Sequence, residues 1–164
     1  MWAWSSQRWT ASSPTTQRSR TRSLTSEFAQ PFEFQATLTR LDEALDTLHR
    51  SVQLLREKGP GSLDETNIML FESALSEIGA NVLTHGRSDG PTDAPVEFRL
   101  TLEGHMALAT FVDRGPPVHN HLTRAMPEPT SETGRGLAIA RQVLDELGYE
   151  RDGEINTWRL VKRL

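Results

Sequence analysis

The chain has 164 residues, of which 36% are hydrophobic and 24% are charged, which is typical of one soluble globular domain. It has no cysteine, so disulfides, thiolate metal sites and a cysteine nucleophile are excluded. No apolar run approaches the roughly 18 residues that span a membrane, so no membrane partner is expected. The net charge is −4, and an acidic body argues against direct nucleic-acid binding.

The first 28 residues differ in composition from the rest. They are rich in Ser, Thr and Arg and show no sustained apolar periodicity. We therefore predict a disordered tail at 1–28 and a folded domain at 29–164. An organellar transit peptide, or a start codon upstream of the true one, would have the same composition.

The first predicted elements are a strand and an amphipathic helix. Residues 32–37 alternate as a strand does. Thr39, with Asp42 three positions on, predicts a capping box, and residues 58–61 (Lys-Gly-Pro-Gly) predict the end of the helix. The apolar side of this helix comprises Leu41, Leu45, Leu48, Val52 and Leu55.

A second helix begins after a capping box at 62–65 and carries Glu77 and Asn81. These two residues lie about 40° apart around a helix axis, so they share a face. The neighbouring apolar side comprises Phe71, Leu75, Ile78 and Val82. A carboxylate there could act as a base and a carboxamide oxygen suits Mg²⁺. A solvated helix edge would show the same pair.

Strands and one further helix complete the chain. Residues 96–102 alternate, 103–105 predict a turn, and 106–113 are apolar nearly throughout, as in a central strand. Residues 116–133 predict a long loop. A third helix is predicted to begin at 134–136, bury Leu137, Ala140, Leu144 and Leu147, and end at Gly148. A hairpin turn at Asp152-Gly153 is predicted to join 149–151 to a last strand, 155–162.

This order of elements predicts the fold class. Short turns join most strands after the second helix, so the sheet should be mixed or antiparallel, with the helices on one face. The expected architecture is an α/β (α+β) two-layer sandwich.

Two further motifs could carry chemistry. Asp113-Arg114-Gly115 follows the central strand, where the carboxylate could accept a hydrogen bond from an exocyclic amine such as that of adenine. Thr133-Gly134-Arg135-Gly136-Leu137 begins a helix, where free backbone N–H groups suit phosphate oxygens. Alone, the first motif is compatible with a simple turn and the second with a simple helix cap.

The order of the three motifs resembles the GHKL (Bergerat-type) ATPase fold over residues 30–164. Within that superfamily the chain resembles the bacterial anti-sigma factor serine/threonine kinases of the RsbW and SpoIIAB type. The resembling segments are SEIGANVLTHG, FVDRGPP, TGRGLAIARQVLDEL and NTWRLVKRL.

The resemblance implies a role for each matched position. Glu77 would be the general base, Asn81 would bind Mg²⁺, Asp113 would bind the adenine amine, and Gly115 would shape the pocket. Thr157 would lie near the adenine. The residues that would hold the ATP phosphates are Thr133, Gly134, Arg135, Gly136 and Leu137.

Two departures from the family pattern stand out. Pro117 occupies the position of the second glycine in Asp-x-Gly-x-Gly, so the pocket rim must be built differently. The family also uses an arginine of its first helix, for which Arg50 is a candidate, although an exposed charge is equally compatible with its spacing. His119 and His121 have no further ligands at suggestive spacing, so no metal site is expected there.

The resemblance implies a cytoplasmic, homodimeric kinase that uses ATP and Mg²⁺. It would phosphorylate an anti-anti-sigma (STAS-domain) partner and sequester a sigma factor. A regulatory module that binds ATP or proteins without kinase activity is the first alternative. The second is a detached ATP-binding domain of a histidine kinase, which the missing acceptor-histidine helix disfavours.

Overall fold

Five strands and three helices form the described part of the chain, which in this computed structural model comprises residues 32–85, 94–117 and 135–164. In chain order the elements are β1 (Phe32–Leu38), α1 (Leu41–Lys58), α2 (Glu65–His85), β2 (Val96–Glu103), β3 (Met106–Asp113), α3 (Arg135–Val143), β4 (Glu146–Asp152) and β5 (Ile155–Arg163). The predicted tail at 1–28 lies outside the described residues.

The strands form one antiparallel sheet in the order β1-β2-β3-β5-β4. Two hairpins, β2–β3 and β4–β5, each turn at a glycine with positive φ, 59° at Gly104 and 58° at Gly153. After α3 the chain runs to the sheet edge as β4 and returns beside β3 as β5. The end of β3 therefore lies opposite the start of β5, with Asp113 paired to Asn156.

The helices cover one face of this sheet. Along β2 and β3 the buried residues alternate with more exposed ones, and the buried set packs with α1 and α2 in a single core. The largest fully buried side chains of that core are Leu38, Leu48, Val52, Leu55, Phe71, Leu75, Ile78, Leu83, Phe98, Leu100, Phe111 and Leu160. The predicted two-layer sandwich is confirmed, and the sheet is antiparallel rather than mixed.

Gly79 brings α2 close to both of its neighbours. A Cβ added at this position would lie 2.5 Å from Leu48 Cδ1 of α1 and 3.4 Å from Phe111 Cζ of β3. Only a residue without a side chain allows this approach. The segment of α2 around Gly79 therefore packs directly over the second half of β3.

The predicted helix caps were only partly right. The first helix begins at Leu41 with Arg40 as its N-cap and no side-chain cap hydrogen bond, so the predicted capping box from Thr39 was wrong. The second helix begins at Glu65, because Asp64 Oδ1 accepts the backbone N–H of Asn67 at 2.9 Å. Asp64, not Ser62, is therefore its cap.

The third helix is shorter than predicted. It ends at Val143, and Leu147 and Gly148 belong to β4. The reason is pairing with β5: the backbone N–H of Asp145 already donates to the carbonyl of Val161 at 2.9 Å. Leu147 is half-buried against the core, so its apolar character serves the strand.

Candidate functional site

Glu77 and Asn81 lie on either side of Gly79 on α2, beside the buried stripe that was predicted for this helix. Phe71, Leu75, Ile78 and Val82 are all buried, as predicted. Glu77 is exposed and Asn81 is half-buried. Gly79, between them in the chain, lies beside β3: a Cβ added there would be 3.4 Å from Cζ of Phe111, two residues before Asp113.

Glu77 also contacts the start of α3. A Cβ added at Gly136 would lie 2.6 Å from Cδ of Glu77 and closer still to Oε2. The Glu77 carboxylate therefore occupies the space that any side chain at position 136 would need. The first and third sequence motifs thus meet at one point, through a glutamate and a glycine.

Asp113 is held at the end of β3 by two hydrogen bonds to one of its oxygens. Its Oδ1 accepts the backbone N–H of Gly115 at 2.7 Å and Nδ2 of Asn156 at 2.8 Å. Asp113 as a whole is 6% exposed. Within the part of the chain that the structure describes, no donor hydrogen-bonds to Oδ2. Asp113 thus presents a fixed acceptor oxygen with unused capacity.

Asn156 is the residue that sequence analysis missed. It is 1% exposed, and its amide links Asp113 to the hairpin β4–β5. Its Oδ1 accepts the Tyr149 hydroxyl at 2.7 Å and Nη1 of Arg151 at 2.5 Å. The sequence contained a sign of this: Asn156, Trp158 and Leu160 are two positions apart along the strand, so they share one face. All three are buried and face the core.

Thr157, which the resemblance placed near the adenine, lies on the opposite face of the sheet from Asp113. It pairs with Val112, and successive side chains of a strand point to opposite faces. The side chain of Thr157 therefore emerges on the face away from the helices, whereas Asn156 and Asp113 share the other face. The final strand contributes Asn156, not Thr157, to the surroundings of Asp113.

The rim after Asp113 is held by polar contacts in place of the missing second glycine. The Gly115 carbonyl accepts Nη1 of Arg151 at 2.9 Å and Nδ2 of Asn156 at 3.1 Å. The Pro116 carbonyl lies 3.4 Å from the same amide nitrogen. Side chains of β4 and β5 thus position a rim segment whose Pro117 has neither a donor N–H nor free φ.

The remaining predicted site residues are only partly described. Thr133, Gly134, His119 and His121 lie outside the described residues, as does the side chain of Arg135. Leu137 is half-buried and packs against the core from the first turn of α3. Arg50 is exposed on α1.

Neither a multidentate metal cluster nor a membrane span is found in ranges 32–85, 94–117 and 135–164. No group of three or more His, Cys, Asp or Glu side chains there could hold a metal ion. No helix there is long and apolar enough to cross a membrane.

These groups can bind a flat, amine-bearing base and handle a proton. The open oxygen of Asp113 can accept an N–H, and the Gly115 backbone beside it leaves room for a ring. Glu77 places a carboxylate, which could act as a base, at the start of α3, and free N–H groups at a helix start suit phosphate oxygens. The chemistry of these donors and acceptors suits a purine nucleotide.

Comparison with known proteins supports this interpretation. The profile of the histidine kinase-like ATPase domain matches residues 34–162. The structure of the RsbU and RsbW domains of Rv1364c from Mycobacterium tuberculosis matches with a TM-score of 0.58 and 22% identity. That match covers 80% of this chain and 32% of that one, so the chain spans about a third of that structure.

A second solved structure shares the fold. The histidine kinase domain of the blue-light activated kinase EL346 from Erythrobacter litoralis matches with a TM-score of 0.50 and 18% identity, covering 74% of this chain and 61% of that one. No curated protein sequence matches the chain. Since the profile spans most of the chain and the fold agrees with it, the protein belongs to the histidine kinase-like ATPase domain family.

Proposed function

We propose that the protein is an ATP-dependent serine/threonine protein kinase that acts as a cytoplasmic anti-sigma factor. It would phosphorylate an anti-anti-sigma (STAS-domain) partner and sequester a sigma factor when that partner is unavailable. The observation that carries the proposal is the Glu77 carboxylate at the start of α3. The start of α3 is the helix N-terminus that we propose to bind the ATP phosphates. An exposed carboxylate beside it could reach a hydroxyl that attacks the γ-phosphate, as a general base must.

The described residues fit a nucleotide. Asp113 would receive the adenine amine on Oδ2, since its Oδ1 is already occupied by Gly115 and Asn156. Gly136, together with Thr133, Gly134, Arg135 and Leu137, would hold the phosphates. Asn81 would contribute its side-chain oxygen to Mg²⁺. When bound, MgATP would supply the phosphoryl group. Glu77 would take the proton from the partner's hydroxyl as that oxygen bonds to the γ-phosphorus and the bond to ADP breaks.

Two observations support the partner assignment. The similar M. tuberculosis structure contains the RsbU and RsbW domains of Rv1364c. The sequence resemblance to anti-sigma kinases spans residues 30–164. We therefore propose a STAS-domain substrate, a sigma factor and a homodimer as the assembly of this chain.

The test is phosphotransfer from labelled ATP. The protein is incubated with MgATP and a candidate STAS-domain protein, alongside Glu77→Gln and the exposed control Glu57→Gln on α1. We expect acid-stable phosphoserine or phosphothreonine on the partner with the wild type and with Glu57→Gln, and almost none with Glu77→Gln. Transfer that is unchanged in Glu77→Gln would refute the assigned base.

The alternatives give different products in the same assay. A regulatory module without kinase activity would bind ATP or the partner and transfer nothing. A histidine-kinase ATP-binding domain would give acid-labile phosphohistidine on a separate acceptor domain.

A further inference from the structure

The side-chain amide of Asn156 has hydrogen-bond acceptors on its nitrogen side and hydrogen-bond donors on its oxygen side. Its Nδ2 faces three oxygens, Asp113 Oδ1 at 2.8 Å, the Gly115 carbonyl at 3.1 Å and the Pro116 carbonyl at 3.4 Å. Its Oδ1 faces two donors, the hydroxyl of Tyr149 and the guanidinium of Arg151. A reversed amide would oppose like groups on both sides, so its orientation is set by its surroundings.

This orientation of the Asn156 amide decides which oxygen of Asp113 is left to accept a hydrogen bond from a ligand. Both donors that reach the carboxylate, the Gly115 N–H and the Asn156 amide, bind the same oxygen, Oδ1. The other oxygen receives no donor from the described residues. An ionised carboxylate accepts hydrogen bonds and donates none. Oδ2 is therefore an acceptor whose direction is fixed through the carboxylate plane.

We propose that Asn156 is a positioning residue that sets the base specificity of the pocket. By holding Oδ1, it fixes the direction in which the acceptor Oδ2 faces the ligand, so the pocket selects a purine with an amine at position 6 over one with a carbonyl. Tyr149 and Arg151 support this role by fixing the amide. The inference rests on the proposed function, because it assumes that Asp113 faces the base of a bound nucleotide.

Burial of Asn156 keeps its hydrogen bonds in place, so the direction of Asp113 Oδ2 is fixed well enough to distinguish one purine base from another. Asn156 is 1% exposed, so its polar atoms cannot exchange protein partners for water at low cost. Arg151 also donates to the Gly115 carbonyl at 2.9 Å, which ties the pocket rim to the same amide. A site that hydrogen-bonds one substituent rejects an analogue that lacks it, because its buried group is then left unpaired.

The test compares ATP with ITP, which has a carbonyl in place of the 6-amine. Dissociation constants for both are measured by calorimetry with Mg²⁺ on the wild type, Asn156→Asp and Gln53→Glu. The last makes the same amide-to-carboxylate change on the exposed side of α1. In Asn156→Asp two carboxylates would lie about 2.8 Å apart and share a proton, so Asp113 would no longer be restricted to accepting.

We expect the wild type and Gln53→Glu to prefer ATP by about 10- to 100-fold, the value of one charge-assisted hydrogen bond, and Asn156→Asp to lose that preference. If wild type and Asn156→Asp bind ATP with the same preference, the inference is wrong and the proposed function stands. If the wild type binds neither nucleotide, both are wrong.

A second variant covers the case in which Asn156→Asp does not fold, as judged by thermal unfolding. Arg151→Met removes one of the two donors to Asn156 Oδ1 and one of the two to the Gly115 carbonyl, and it leaves Asp113, Tyr149 and Asn156 in place. We expect the preference for ATP over ITP to fall roughly 3- to 10-fold, the value of one ordinary hydrogen bond. An unchanged preference in this variant would overturn the inference.

Discussion

The carboxylate of Glu77 lies against the backbone of Gly136, so two helices separated by the β2–β3 hairpin meet at one point. The contact explains why position 136 carries no side chain. It also joins the residue proposed to move the proton to the backbone proposed to bind phosphate. Two of the expected outcomes concern this contact. Three concern Asp113, its hydrogen-bond partner Asn156 and the packing of Gly79.

Gly136→Ala should reduce phosphotransfer without reducing stability. Its Cβ would displace the Glu77 side chain, which is exposed and able to move, and alanine favours a helix by up to about 1 kcal/mol over glycine. We expect the rate constant to fall about 10- to 100-fold and the melting temperature to hold or rise. Gly61→Ala is the matched control, because a Cβ there meets nothing within 4 Å. A marked loss of stability in Gly136→Ala would contradict this explanation.

Glu77→Gln should abolish most of the transfer while leaving ATP binding intact. A positioned general base contributes typically about 10²- to 10⁴-fold in rate, and the amide keeps the size of the side chain. Single-turnover kinetics would show the lost rate, and calorimetry should give an ATP affinity within about threefold of the wild type. Equal losses in binding and rate would indicate that Glu77 holds the ligand instead.

Asp113→Asn should weaken ATP binding. The new amide must keep its oxygen towards the two donors at Oδ1, which turns its NH₂ towards the ligand amine. Two donors then face each other, and we expect the dissociation constant to rise at least about 10-fold. Calorimetry with Mg²⁺ and after its chelation measures this change and also shows whether wild-type binding depends on the cation. ATP binding that Asp113→Asn leaves unaltered would remove Asp113 from the site.

Asn156 and Thr157 should differ sharply in their contribution to stability. Asn156→Leu would leave Asp113 Oδ1, the Tyr149 hydroxyl and the Arg151 guanidinium short of a partner, at a cost of about 2–4 kcal/mol in the free energy of unfolding. Thr157→Val lies on the opposite face and should change that free energy by less than about 0.5 kcal/mol. Urea unfolding measures both. Similar values for the two variants would argue against the assignment of their faces.

Gly79→Ala should destabilise the fold although alanine is the better helix former. Its Cβ would lie 2.5 Å from Leu48 Cδ1, and overpacking of this kind costs about 1–3 kcal/mol. Adding Leu48→Ala removes the obstructing methyl groups, so the double variant should be more stable than the sum of the two single changes predicts. Strict additivity in urea unfolding would show that α1 and α2 do not meet at this contact.

Local patterns were sufficient for most of the elements. The apolar spacing of α2 and the alternation of β2 predicted buried faces that the structure confirms, because 3.6-residue and two-residue periods follow from backbone geometry alone. On α1 the prediction held for Leu48, Val52 and Leu55 but was wrong for Leu41, which is 41% exposed at the helix start. The glycine turns at Gly104 and Gly153 were equally local, since positive φ favours glycine. Whether the predicted site residues act on a nucleotide remains a prediction.

Sequence by itself therefore determined the order and type of the elements and drew attention to Glu77, Asn81 and Asp113. Only the tertiary structure ended α3 at Val143, because pairing of Asp145 with Val161 outcompetes a helical pattern that continues to Leu147. Only the strand register chose Asn156 over Thr157, because a shift of one residue moves a side chain to the other face of the sheet. The meeting of Glu77 with Gly136 was likewise decided by packing, since no local period links residues on separate helices.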